Sequence, residues 1–301
     1  MRQRAFLPSL AVAPLLALLA APPAAAQVQV GWNALVEAGA ATTAGNSETI
    51  SLNARGEAAH QWLRTELRFS GGLIRNSVRE TTRFAVGTPG NVVEDSTLVP
   101  KAANYFAHAD LLRRVTERFF WKVGGDWERD RFAGVDSRAI GRAGVGLMWD
   151  NRRDTRFQTA VDATYTSETM TVEDPSREET YPGARFSMDA ERRFGGEERR
   201  NAFTSKLLVD QNLSDSDDTR VDFTNALALA VSRRLSLKAQ VQLKYDRQPG
   251  LVEIDLFATA PGPGVSPIGK AAVTADELDA ITTLSLVVNL TPGRSGARPT
   301  P

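Results

Sequence analysis

From Trp32 onward, apolar and polar side chains alternate residue by residue along most of the chain. Between Leu235 and Asp246, one face carries Leu235, Leu237, Ala239, Val241, Leu243 and Tyr245. The other carries Ser236, Lys238, Gln240, Gln242, Lys244 and Asp246. Phe119 to Asp130 repeats the pattern, with Phe119, Trp121, Val123, Gly125 and Trp127 opposing Lys122, Gly124, Asp126 and Glu128. Successive side chains of a strand point to opposite sides, so a period of two predicts strands with one apolar and one polar face. The alternation predicts about twelve of them, at 32–43, 48–60, 63–74, 104–115, 119–130, 139–149, 154–166, 181–192, 201–213, 219–231, 235–246 and 279–290. They run to roughly 11–13 residues, against ~5–6 in ordinary globular strands and ~9–11 in tilted strands that cross a bilayer.

The connections sort by length. Every second one is short: Gln61-Trp62, Thr116-Glu117-Arg118, Asp150 to Arg153, Arg193 to Arg200, and Ser232-Arg233-Arg234. Most of the others are longer and polar (75–103, 131–138, 167–180, 247–278), with Ala44-Gly45-Asn46 and Ser214 to Asp218 as short exceptions. Alternating short turns and long loops is the asymmetry of an outer-membrane barrel. The expected fold is therefore all-β: a transmembrane antiparallel β-barrel of about 12 strands in an up-and-down meander. An even strand count returns both termini to the periplasmic side. The long loops 75–103 and 247–278 show no sustained period, and Pro261-Gly262-Pro263-Gly264 with Pro267 predicts an irregular excursion in the second.

Aromatic placement adds to this picture, because Trp and Tyr favour membrane–water interfaces. With these strand directions Trp32, Trp62, Trp121 and Trp149 fall near the periplasmic ends and Tyr105, Tyr165, Tyr181 and Tyr245 near the outer ends. Only Trp127 departs from that separation.

The first residues break the alternation. Arg2 and Arg4 precede an apolar run from Ala5 to Ala20, and Ala24-Ala25-Ala26 forms a cleavage signal before Gln27. This is the layout of a secretory signal peptide, too short for a spanning helix of ~20 residues. The expected organisation is a signal peptide (1–26), an outer-membrane barrel domain (27–290) and a disordered tail (291–301), with the chain exported to the cell outer membrane.

Composition narrows the function. Lys+Arg and Asp+Glu both count 36, giving a formal net charge of +0; a nucleic-acid partner would call for a basic excess. Cys is 0 and His is 2, so disulfides, thiolate chemistry and a His-rich metal site are not expected. No metal and no cofactor are expected. Charges facing lipid would each cost a few kcal/mol near the midplane, so the polar faces are expected to line the lumen. The candidates are Arg64, Glu66, Arg68, His108, Asp110, Lys122, Asp126, Glu128, Lys238, Lys244 and Asp246. Twelve strands fall between filled eight-strand barrels and open porins, so a plugged interior and a narrow pore both remain open.

Catalysis has little to stand on. His108 shares a face with Asp110, which could orient it, but no serine stands out as its partner. His60 lies at a periplasmic turn. Asp215-Ser216-Asp217-Asp218 begins like a calcium loop, yet Arg220 and Ala226 stand where the turn glycine and the bidentate glutamate belong. No catalytic residue is assigned.

The chain also resembles the salt-induced outer-membrane proteins, a barrel family of Gram-negative bacteria carrying a domain of unknown function. The matching pieces are Trp32 with Gly39 and Thr43-Ala44-Gly45-Asn46-Ser47, the Gly-rich strand Gly141-Arg142-Ala143-Gly144-Val145-Gly146, and Leu235-Ser236-Leu237 leading to Tyr245-Asp246 and Pro249. The resemblance covers nearly the whole mature chain and implies one outer-membrane barrel without a known reaction, cofactor or substrate. One departure stands out. Many such barrels end on an aromatic residue that the barrel-assembly machinery reads, whereas here the last strand ends near Leu290 and the tail carries no aromatic.

The expected function is a structural barrel or passive small-solute pore, with a link to salt or osmotic stress implied by the resemblance. Its expected partners are outer-membrane lipid and lipopolysaccharide, the assembly machinery during biogenesis, and small solutes or ions. The alternatives are a soluble periplasmic β-sandwich binding protein and a barrel hydrolase acting on lipid or peptide.

Overall fold

The computed structural model describes residues 30–43, 48–85, 92–131, 133–152, 154–175, 177–195, 201–256 and 268–290. The expected signal peptide, the Ala44-Gly45-Asn46 turn, the run from Pro261 to Pro267 and the expected tail lie outside them.

The strands are β1 (Gly31–Thr43), β2 (Glu48–Gln61), β3 (Thr65–Ala85), β4 (Val92–Arg114), β5 (Phe119–Asp130), β6 (Val135–Asn151) and β7 (Thr155–Met170). There follow β8 (Thr180–Phe194), β9 (Asn201–Asn212), β10 (Thr219–Ala230), β11 (Leu235–Asp246), β12 (Leu251–Leu256), β13 (Gly269–Thr274) and β14 (Leu278–Asn289). The strands β1 to β11 and β14 close into one antiparallel barrel, each pairing with its sequence neighbour, while β12 and β13 form a separate two-stranded sheet. The ring closes where β14 returns to β1, from Leu35 opposite Asn289 to Ala38 opposite Leu286. A closed ring of twelve strands is the expected meander, and it excludes the two packed sheets of a sandwich.

Burial is inverted relative to a water-soluble protein. On β7, Val161 is 57 % exposed while its neighbour Asp162 is 1 % exposed. On β11 Leu237, Val241, Leu243 and Tyr245 are exposed, whereas Ser236, Lys238, Gln240, Gln242 and Lys244 are buried or half-buried. The apolar face is thus the outside wall and the polar face the inside. A continuous exposed apolar wall is unfavourable in water and favourable in hydrocarbon. Closure also gives every barrel strand two neighbours, as a bilayer demands, with the β14–β1 seam the shortest ladder, paired from Leu35 to Ala38.

Glycines on the inner face make room for the larger polar side chains. A Cβ on Gly144 would collide with the Asp162 carboxylate, and one on Gly146 with the Phe120 ring. The Gly-x-Gly spacing on β6 lets these groups turn into the lumen.

Two long connections differ from expectation. The segment 75–103 is largely a hairpin: β3 runs on to Ala85 and β4 begins at Val92, with a register shift between Asn76 and Ser77. The segment 247–278 contains the β12–β13 hairpin, paired from Leu251–Thr274 to Leu256–Gly269. Among the described residues both segments form hairpins where irregular loops were expected.

Candidate functional site: a charged lumen

The inner face carries acidic and basic side chains at three levels, and they meet across the barrel. Near the short turns, Glu66 of β3 pairs with Arg68 on its own strand and with Arg156 of β7 at 3.2 Å. Lys238 of β11 meets Glu37 of β1 at 2.8 Å. Lys206 lies directly across the β8–β9 ladder from Asp189, which accepts a hydrogen bond from Gln158 at 3.2 Å.

At mid-height Asp126 of β5 is the hub. It receives Arg142 of β6 through Nε and Nη2, both at 3.0 Å, and Arg185 of β8 through Nη1 at 2.5 Å. His108 of β4 places Nδ1 2.8 Å from the same carboxylate. Arg185 also grips Asp210 of β9 at 2.6 and 3.1 Å, and Arg142 reaches Asp110 at 2.6 Å. Lys122 lies 2.9 Å from Asp162 and donates to Ser187 at 3.0 Å. Buried charges persist only when paired in this way, because an uncompensated ion in a low-dielectric interior costs several kcal/mol.

Toward the long loops, Glu168 of β7 gathers Arg138 at 2.7 Å, Arg220 at 3.4 Å and Arg177 at 3.6 Å. The Tyr181 hydroxyl donates to Glu168 at 3.1 Å and accepts from Arg220 at 2.8 Å. Lys244 of β11 meets Glu128 of β5 at 2.9 Å. These two strands stand six places apart around the twelve-strand ring, so this pair spans the lumen from opposite walls. Above it the chain leaving β11 crosses the mouth. The Gln248 carbonyl accepts from Arg177 at 2.7 Å and the Gln248 amide reaches Asp215 at 3.1 Å. A Cβ on Gly134, whose φ is +81°, would lie 2.8 Å from Gly250. Three loops thus hold one strap.

Of the candidate residues, Glu66, Arg68, His108, Asp110, Lys122, Asp126, Glu128, Lys238, Lys244 and Asp246 sit on inward-facing strand positions. Arg64 is corrected: it lies in the exposed β2–β3 turn, because the alternation continues past the end of the strand. Among the aromatics, Trp32, Trp62, Trp149, Tyr105, Tyr165 and Tyr245 are exposed and Trp121 half-exposed. Tyr181 is corrected: it is 1 % exposed and points inward onto Glu168. The sequence reading missed the partners Arg138, Arg185 and Glu168, although each lies on the polar face of its strand.

Two chemical alternatives meet the geometry poorly. Asp126, not Asp110, orients His108, and Ser70 stands opposite His108 on β3. Among the described residues no hydrogen bond joins Ser70 to His108, and Asp126 is shared with two guanidiniums. The Asp215–Asp218 carboxylates are engaged otherwise: Asp215 caps the Asp217 amide, Asp217 meets Arg247 at 2.8 Å, and Asp218 accepts from Asn212 at 3.1 Å. A groove of about 750 Å³ lies against Phe69, Ala107, Gly125, Gly141 and Tyr165, several of which face outward.

Solved structures similar to the chain include the NanC porin, at 11 % identity and a TM-score of 0.45, covering 85 % of this chain and 100 % of that one. The anion-selective porin from Comamonas acidovorans matches at 10 % identity and 0.37, covering 88 % and 100 %. The CymD monoaromatic hydrocarbon channel matches at 8 % and 0.38, covering 87 % and 89 %. No curated protein matches the chain. The family described as a protein of unknown function, DUF481, matches residues 36–251, more than half of the sequence, and the chain belongs to that family.

Proposed function

We propose that the chain is an outer-membrane barrel, exported through a cleaved signal peptide, whose narrow ion-paired lumen passes small ions and polar solutes passively, without catalysing a reaction. The observation that carries this reading is the inverted burial of a closed twelve-strand ring, apolar outside and charged inside. A water-filled or water-permeated lumen is the environment in which so many charges are tolerated within a bilayer. The mixed signs along the lumen favour small ions of either charge over a strongly selective route.

A specific observation favours a second reading, a structural barrel with no passage. The Lys244–Glu128 pair and the strap at Gln248–Gly250 close the lumen toward the long loops. Single-channel recording in a planar bilayer decides between them. Discrete, reproducible small steps are expected; a folded, heat-modifiable protein that gives none overturns passage in favour of the structural reading. The link to salt or osmotic stress rests on the family resemblance alone, and growth of a deletion strain in a salt series tests it.

A further inference from the structure

Charge is distributed unevenly along the barrel axis although the chain as a whole is neutral. At the short-turn end Arg64, Arg113, Arg118, Arg192, Arg193 and Arg234 are exposed, and Glu117 is exposed among them. At the long-loop end the exposed acidic side chains Glu173, Glu178, Glu179, Asp215, Asp217, Asp276 and Glu277 outnumber the exposed basic ones, Arg75, Arg131, Arg247 and Lys270. The basic residues do not stand alone. Each lies near an exposed apolar side chain on the outside wall: Leu63 (74 % exposed) before Arg64, Val115 after Arg113, Phe119 after Arg118, Phe194 after Arg192 and Arg193, and Val231 (71 %) near Arg234. On β1 and the adjacent turn, Trp32 and Trp62 pack on either side of His60, with ring centroids 4.9 and 4.1 Å away.

We propose that this end of the barrel is a collar that binds anionic phospholipid headgroups of the inner leaflet. The inference rests on the reading of the barrel as membrane-inserted. An exposed aliphatic or aromatic side chain at the last turn of a lipid-facing wall sits in the interface. The arginine next to it is then held at the depth of the phosphates, where a guanidinium can take two oxygens at once. A soluble acidic partner would be served by the arginines but not by Leu63, Val115 and Val231, which would remain in water. The pairing of a basic with an apolar residue in successive turns is what a headgroup layer satisfies. Basic residues beside a membrane-spanning segment attract anionic lipid in the same way.

The test uses the full mature chain refolded into vesicles of phosphatidylethanolamine with or without phosphatidylglycerol. Native mass spectrometry then counts the lipids retained after gentle extraction. The wild type is expected to retain phosphatidylglycerol in preference to phosphatidylethanolamine. In the R64Q/R113Q/R234Q variant that preference is expected to fall, by roughly fivefold for each arginine replaced. R131Q, at the other end of the barrel, is expected to leave it unchanged. Equal retention by the wild type and the triple variant overturns the collar, as does preferential capture of soluble acidic peptidoglycan fragments with no lipid enrichment. A chain that gives no heat-modifiable folded form in either vesicle overturns the membrane reading itself. If the triple variant fails to fold, the single variants R113Q and R234Q carry the same comparison.

Discussion

Asp126 receives side chains from three strands, His108 of β4, Arg142 of β6 and Arg185 of β8, and each arginine carries a second carboxylate. Removing one cation leaves buried negative charge behind, so Arg142→Met is expected to destabilise the barrel by about 3–5 kcal/mol. Urea unfolding followed by tryptophan fluorescence measures this. Adding Asp110→Asn should return part of the loss, because Asp110 loses its arginine whereas Asp126 keeps Arg185 and His108. The same logic separates two tyrosines. Tyr181→Phe removes a hydroxyl that both donates to Glu168 and accepts from Arg220, at a cost of about 1–3 kcal/mol. Tyr165→Phe, on the exposed wall, should stay within about 0.5 kcal/mol. The inward or outward sense of Tyr181 was legible in the sequence, since it shares parity with Gly183 and Arg185. Its position near a strand end obscured it. The partners of Asp126 were not legible: Arg185 lies 59 residues away, and which charges meet is set by how the ring closes.

Strand bounds were legible where the apolar face is regular from end to end. The predicted limits of 119–130 and 235–246 coincide with β5 and β11, because the apolar face there must be continuous and stops where the wall stops. The signal fails beyond the wall. Arg79-Glu80-Thr81-Thr82-Arg83 is polar at every position, so the far half of β3 carries no alternation, and only its ladder with β4 reveals it as strand. In the second long connection Leu251 to Leu256 does alternate in part, but the proline–glycine run that follows masked the hairpin. These extensions pair only with each other: β3 beyond Arg79 has β4 as its partner and no ladder with β2. They therefore add little to the closed ring. Deleting residues 79–98 and joining Val78 to Val99 through an Asn-Gly turn should leave a heat-modifiable barrel on gel electrophoresis. Loss of the folded band would mean that the hairpin contributes to the ring after all.

Among the described residues the two ends of the lumen are bridged by different ion pairs. Toward the short turns the pairs Lys238–Glu37 and Arg156–Glu66 link strands two and four places apart around the ring. Toward the long loops Lys244 and Glu128 meet from diametrically opposed strands, and the strap from Gln248 to Gly250 lies above them. These two closures act in series, so the narrower one limits any current. If the strap limits, Lys244→Ala alone leaves the single-channel conductance near the wild-type value, and deleting residues 248–274, strap and hairpin together, raises it. If the ion pair limits, the order reverses. The strap is tied from outside the bore, by hydrogen bonds to Arg177 and Asp215 and by backbone packing at Gly134, whereas the Lys244 ammonium and Glu128 carboxylate hold each other directly across the lumen. The ion pair is accordingly the tighter constriction. Lys244→Ala is expected to raise conductance at least twofold and to shift selectivity toward cations, because it leaves Glu128 unopposed in the path. A conductance that stays unchanged in Lys244→Ala and in the hairpin deletion alike would place the limiting constriction at the Asp126 hub, where Arg142 and Arg185 converge.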